Sequence, residues 1–283
     1  MQALLNVLLN LLDWEIRAMK RILLTSLEFG QSYGVDRAIC DLIIAGRLSA
    51  VGCVVTGEMW SREFYQLRDV VAWAEHETMV GLTVTLTKPA APLTDFGHTV
   101  FGDVFPANWW YAIRSPMKML PEEAIAAEIA AQVDLFEEVY ARPPAFVAIQ
   151  GNLAKHPAVH SALITVLSMM TGREPALVLP AGVSRTSNAI AKRATKSGLE
   201  TIFSGPDLPM ADEDTDLRDF FWHGINEAQD SAMVLCRPSY PEEQAQPVKK
   251  KNMRQSSSRE NQLKFLISEE FPFLLMEKDI FLF

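Results

Sequence analysis

Short β-branched runs alternate with amphipathic stretches along most of this chain, and that alternation narrows the folds open to it. Residues 21–25, 49–55, 80–86, 145–149, 176–179 and 232–236 read as buried strands. Between them, residues 34–46, 61–75, 121–140, 157–171 and 187–198 space their apolar side chains as helices do. The longest of these opens at Pro121, a good first helical residue, and puts Ile125, Ile129, Val133 and Phe136 on one face. Gly46 supplies a C-terminal stop for the first. Strands and helices in alternation predict a parallel sheet with crossover helices. Such a sheet is buried on both faces, which is why its strands read as near-continuous apolar runs.

Three stretches break the alternation. Residues 88–120 are rich in Pro, Gly and aromatic residues and read as a long irregular loop. That loop carries Trp109, Trp110 and Tyr111, candidates for stacking on a sugar and equally for packing. Residues 248–262, with Lys249-Lys250-Lys251 and Ser256-Ser257-Ser258, read as a polar linker. The apolar end that follows, Phe-Pro-Phe-Leu-Leu-Met and onward, must dock on this chain or on a partner. At the other end, Leu4, Leu5, Leu8, Leu11 and Leu12 fall at helical spacing in a stretch too short to span a bilayer. It lacks a basic start and a cleavage site, so it makes a poor signal peptide.

Composition excludes some classes. With 283 residues the chain can bury one large domain or two small ones. A net charge of −9 argues against a general nucleic-acid binder, which needs basic surface to replace counterions. The three cysteines, Cys40, Cys53 and Cys236, include no C-x-x-C pair and cannot all close into disulfides, so reduced thiols and a cytoplasmic setting are expected.

Four segments, in order, resemble motifs of the YdjC-like carbohydrate deacetylases of the ChbG and HpnK type. Residues 21–30 (RILLTSLEFG) resemble a first strand and loop ending T-A-D-D-F-G. Residues 81–87 (GLTVTLT) resemble G-L-H-L-N-L-T. Residues 145–159 (AFVAIQGNLAKHPAV) resemble a D-G-H-x-H-V-H segment, and residues 232–241 (AMVLCRPSYP) a late E-L-M-x-H-P-G-Y. The match covers roughly residues 20–245, with Met19 as the equivalent of the family's usual start. The resemblance implies an irregular (β/α) barrel of the polysaccharide-deacetylase-like kind. It also implies a divalent metal, held by an aspartate and two histidines, that activates water against the N-acetyl group of an amino sugar.

The chain departs from those motifs at the positions that carry the chemistry. Leu27 and Glu28 stand for the aspartate pair, Thr83 for the histidine of G-L-H-L, and Gln150, Asn152 and Ala154 for D-x-H-x-H. His156 persists nearby, and Arg237 replaces the late histidine. The family-equivalent metal positions are therefore Glu28, Thr83, Asn152 and His156, a weak donor set for Zn²⁺ and a poor one for Mg²⁺. No cofactor is expected to bind tightly, with Mg²⁺ or Zn²⁺ the ions if a site survives. Glu28 and Arg237 are the candidate catalytic residues, and Arg237 is placed to pair with Glu28 and stand in for the metal's charge.

The expected organisation is an N-terminal extension over 1–18, a barrel over 19–247, and a linker with an apolar tail over 248–283. The expected function is that of a carbohydrate deacetylase homologue with impaired catalysis that retains a pocket for a saccharide or a small anion. Two alternatives stay open. One is a non-catalytic subunit that docks a partner or a second copy through residues 1–18 and 263–283. The other is an active hydrolase with a rearranged metal site.

Overall fold

The computed structural model describes residues 20–170, 174–210, 214–241 and 250–283. The expected N-terminal extension lies outside the described residues.

Eight parallel strands form the wall of the molecule, and the sheet curls until it is nearly closed. In chain order they are β1 (Lys20–Phe29), β2 (Ala50–Cys53), β3 (Met79–Val84) and β4 (Phe146–Ile149). There follow β5 (Ala176–Val178), β6 (Thr201–Ile202), β7 (Ser204–Asp207) and β8 (Ala232–Leu235). Their spatial order is β6-β5-β4-β3-β2-β1-β8-β7. Only Phe203 separates β6 from β7, and the two pair opposite ends of the path, β6 with β5 and β7 with β8. The run Thr201–Asp207 is thus the seam of the barrel.

Crossover helices cover the outside. They are α1 (Tyr33–Ile44), α2 (Trp60–Trp73), α3 (Asp95–Phe101), α4 (Asn108–Arg114), α5 (Glu122–Tyr140), α6 (Pro157–Ser168), α7 (Arg185–Lys196) and α8 (Asp214–Trp222). The predicted helix over 121–140 is α5, and its Ile125, Ile129, Val133 and Phe136 are buried as the spacing requires. The main apolar layer lies between these helices and the sheet. A smaller cluster, including Leu23, Ala50, Phe146, Val178 and Met233, fills the barrel interior. That interior is narrow. A Cβ on Gly81 would fall 2.5 Å from the Phe146 carbonyl oxygen and 2.6 Å from its ring, so only glycine lets β3 approach β4 there.

Two expectations are corrected. Residues 88–120 are not an open loop, because α3 and α4 occupy much of them. Buried Glu128 of α5 accepts hydrogen bonds from the Leu93 and Thr94 amides at 2.8 and 2.9 Å. Gln132 grips both backbone groups of Thr85, at 2.9 and 2.8 Å. The strand-to-α5 connection is therefore organised by polar side chains on a buried helix face, which apolar periodicity does not reveal.

The stretch read as a polar linker is instead helix α9 (Lys250–Ile267), followed by α10 (Glu270–Glu277) and a ninth strand, β9 (Ile280–Leu282). The apolar end docks on its own chain. Phe265 and Phe271 pack against Phe221 of α8 with ring centroids 6.0 and 5.2 Å apart. The ninth strand pairs with the start of β1, from Lys20–Ile280 to Ile22–Leu282. No helix among the described residues is long and apolar enough to cross a membrane.

Candidate functional site

The C-terminal ends of the strands surround a cavity of about 300 Å³. In barrels of this kind that end of the sheet carries the chemistry. Its lining includes Leu27, Glu28, Thr83, Gln150, Gly151, Ser204, Asp207 and Arg237.

Two bulges build it. Along β1 the pairing runs from Ser26–Val51 to Phe29–Cys53, three steps against two on β2. One extra residue breaks the in-out alternation, so neighbours Leu27 and Glu28 both reach the cavity. Phe29 then returns to the outer core against Trp60. The seam strand β7 repeats the device, from Ser204–Met233 to Asp207–Leu235, and both Ser204 and Asp207 face in. Strand order then sets the electrostatics. Glu28, Arg237 and Asp207 sit at the ends of β1, β8 and β7, three adjacent strands, with the cation between the carboxylates.

Arg237 Nη2 lies 2.7 Å from Asp207 Oδ2, and its Nε lies 3.6 Å from Glu28 Oε1. The second Glu28 oxygen, Oε2, is held by Arg259 of α9. Gln262, one turn on, accepts from the Arg237 amide at 2.6 Å and donates to the Pro209 carbonyl at 3.0 Å. One face of α9 therefore ties together the ends of β1, β7 and β8. Two guanidiniums and two carboxylates leave the cluster formally neutral. Burial opposes the Arg237 charge, but Asp207, by charge and hydrogen bond, and then Glu28 outweigh it and hold its pKa above the ordinary arginine value.

The remaining sequence candidates divide. Thr83 lines the cavity and its hydroxyl has no partner. The side chain of Asn152 lies outside the described residues. His156 is buried beside the Tyr111 ring, 6.5 Å between centroids, and is not among the lining residues. Burial, then Lys155, lowers its pKa. Trp109 is 65% exposed. Trp110 packs on Phe101 with Arg114 over its ring at 4.3 Å, and Tyr111 is buried with its hydroxyl donating to the Leu86 carbonyl at 2.6 Å. None of the three aromatics lines the cavity. Asp207 and Arg259 escaped sequence reasoning. Asp207 stands on a four-residue strand with no apolar run to announce it, and Arg259 stands in the stretch that reads as linker.

The chemistry open to this arrangement is limited. Cys236 lines the cavity, but burial, then the charge of Glu28, pushes its thiol pKa well up, so no thiolate nucleophile forms. All three cysteines are free and buried. Among the described residues no three His, Cys, Asp or Glu side chains gather as a metal-binding group. The donors at the cavity do not fit a divalent metal. Both oxygens of Glu28 face arginines, Asp207 is paired with Arg237, Thr83 offers a neutral hydroxyl, and Leu27 offers nothing.

No curated protein matches the sequence. Among solved structures, the fold is similar to that of an Enterococcus faecalis protein described as a candidate cellobiose-phosphate cleavage protein. The TM-score is 0.70 at 14% identity, over 94% of this chain and 97% of that one. The model of the YdjC-like protein family matches residues 21–277, from the second residue of β1 through the end of α10. The barrel, the strand-end cavity and that match together place this chain in the YdjC-like family.

Proposed function

We propose that this chain binds a saccharide at the barrel mouth, as a carbohydrate deacetylase homologue whose metal-dependent hydrolysis is impaired. The observation that carries this reading is the double engagement of Glu28 by Arg237 and Arg259. A divalent cation entering there would sit against two fixed positive charges and would have to displace guanidiniums already paired with its ligands. Without a metal, the water that attacks an amide keeps its ordinary, very weak acidity. Among the described residues, both carboxylates lining the cavity are paired with arginines, and the position of the family's base is Leu27.

The cavity nonetheless suits a sugar. At about 300 Å³ it lies at the small end of ligand pockets. One wall is polar, with Glu28, Asp207, Arg237 and Ser204. The other is apolar, with Ile149, Val178, Leu179 and Pro180. Sugars present polar edges and apolar faces. Membership of a family of carbohydrate enzymes, and the name carried by the E. faecalis structure, point the same way. The subunit reading loses ground because the apolar C-terminal segment is spent on this chain's own α8 and β1. The free, buried thiols suit a reducing compartment such as the cytoplasm.

Titration of the full chain with diacetylchitobiose and cellobiose, followed by NMR, tests the reading. Saturable shifts are expected for residues at the ends of β1, β7 and β8. Parallel assays with added Mg²⁺, Mn²⁺ or Zn²⁺ are expected to release no acetate from diacetylchitobiose above the buffer control. Failure to bind either disaccharide refutes saccharide binding, and metal-dependent acetate release refutes impairment.

A further inference from the structure

The loops that leave the strand ends form a second, larger recess. A groove of about 740 Å³ lies beside α1, lined among the described residues by Gln31, Tyr33, Arg37, Glu58, Met59 and Tyr240. These residues follow β1, β2 and β8, so the groove is on the same end of the barrel as the cavity. One turn joins the two. The Gln31 amide donates to the Glu28 carbonyl at 3.3 Å and Gly30 takes a φ of +93°, which makes a β-turn of Glu28–Gln31. The Cα atoms at the ends of such a turn lie within about 7 Å of each other, and here one end is at the cavity and the other at the groove. The turn is fixed in place. Buried Asp36 accepts from the Gly30 amide at 2.6 Å, and the Gly30 carbonyl accepts from the Met59 amide at 3.1 Å. A Cβ on Gly57 would fall 2.0 Å from that carbonyl oxygen, so only glycine lets the loop after β2 close on it. The floor is therefore set before any ligand arrives.

Two aromatic rings form the walls, and they differ. Tyr240 is half-buried and held on three sides. Its hydroxyl donates to Asp41 at 2.7 Å, its amide donates to the Gly34 carbonyl at 3.1 Å, and the Arg37 guanidinium lies 5.0 Å from its ring centroid. Tyr33, in the first turn of α1, is 56% exposed and lines the groove, so its ring is within reach of a ligand. Around it, Gln31, Arg37 and Glu58 supply both donors and acceptors. A cation and a carboxylate in one lining favour a neutral molecule over an ion of either sign. A neutral ring with one apolar face and a rim of hydroxyls matches this surface, its face on Tyr33 and its hydroxyls on the polar side chains.

We propose that this groove is a second saccharide subsite, where an outer sugar of a longer chain stacks on Tyr33 while an inner sugar occupies the strand-end cavity. The inference rests on the saccharide-binding reading and adds to it the ligand class, an oligosaccharide longer than a disaccharide.

Calorimetric titration of the full chain with diacetylchitobiose and tetraacetylchitotetraose, and with cellobiose and cellotetraose, tests it. The tetrasaccharide of the preferred series is expected to bind about tenfold more tightly than its disaccharide, the gain that one stacked ring with its hydrogen bonds supplies. Tyr33→Ala is expected to remove that gain and to leave disaccharide affinity within about twofold, because the cavity is untouched. Tyr33→Phe keeps the ring and is expected to keep the gain. The position is exposed, so both variants are expected to match the parent by circular dichroism. In the parent, the tetrasaccharide and not the disaccharide is expected to shift the NMR amide signals of Tyr33 and Tyr240. Equal affinity for the two lengths overturns the subsite and leaves the cavity reading standing. A full gain in Tyr33→Ala, loss of the gain in Tyr33→Phe, or unmoved Tyr33 and Tyr240 signals overturns it as well. If no saccharide of either series binds, the saccharide reading itself falls, and the subsite with it.

Discussion

A chain ended after residue 249 is expected to remain unfolded. Helices α9 and α10 and strand β9 bury Leu263, Phe265, Leu266, Phe271, Leu275 and Ile280. Fully burying a large apolar side chain is worth about 1.5–3 kcal/mol, so six of them contribute on the order of 10 kcal/mol. That is as large as the whole net stability of a typical domain, about 5–15 kcal/mol. The truncation also strips the cover from Phe221, whose ring packs against both Phe265 and Phe271. It removes a partner of the start of β1, an interior strand of the sheet path that also pairs with β2 and β8. Circular dichroism and size-exclusion chromatography of the truncated chain check this. A monomer with a cooperative melt close to that of the parent would show that the terminal segment is an accessory, contrary to the fold described above.

The second large effect is expected at the ion-pair cluster. Glu28 and Arg259 have side chains only 18% and 16% exposed. Removing one partner of a buried pair leaves an uncompensated charge, typically at 3–5 kcal/mol. Here the loss is smaller, because Glu28 keeps Arg237 at 3.6 Å and some access to solvent. Arg259→Ala is therefore expected to destabilise by about 2 kcal/mol in urea unfolding. Glu28→Gln in the same background is expected to restore part of it, since the stranded charge is gone. A double-mutant cycle is expected to give a coupling of about 1–2 kcal/mol between the two positions. A coupling within about 0.3 kcal/mol of zero would mean that the pair behaves like an exposed one and does not hold the site together.

Much of the barrel was legible in the sequence, for a physical reason. Parallel strands buried on both faces must be apolar throughout, and the helices between them must be amphipathic. Ile22–Leu24, Val80–Val84 and Phe146–Ile149 announced themselves in this way, as did the face of α5. The segments that polar groups organise were not legible. Glu128 and Gln132 shape the 85–120 connection from a helix face that apolar counting treats as neutral. The tail helix α9 begins Lys-Lys-Asn-Met-Arg-Gln-Ser-Ser-Ser, a composition that reads as solvated, yet its Ser258 and Gln262 are buried because they face strand-end loops rather than apolar core. The seam strands β6 and β7 are too short to carry a periodic signal.

The site divides along the same line. Motif resemblance marked Glu28, Thr83 and Arg237, and the structure brings all three to one cavity. The pairing of Arg237 with Glu28 followed from a cation replacing a site residue. The other half of the cluster did not. Asp207 enters through a bulge on the seam, and Arg259 through a helix more than 200 residues from Glu28, with a sequence separation of 231. Neither register shifts nor tertiary docking of a polar helix can be read from local pattern.

The central claim is that arginines have taken the place of a metal beside Glu28. Its most direct test is calorimetry on tag-free, chelator-stripped protein with Zn²⁺, Mn²⁺ and Mg²⁺ in turn. The account predicts no stoichiometric binding at micromolar affinity by any of the three. Binding of one ion per chain at micromolar affinity or better, abolished by Glu28→Ala, would contradict it and return a metal-dependent hydrolase to first place.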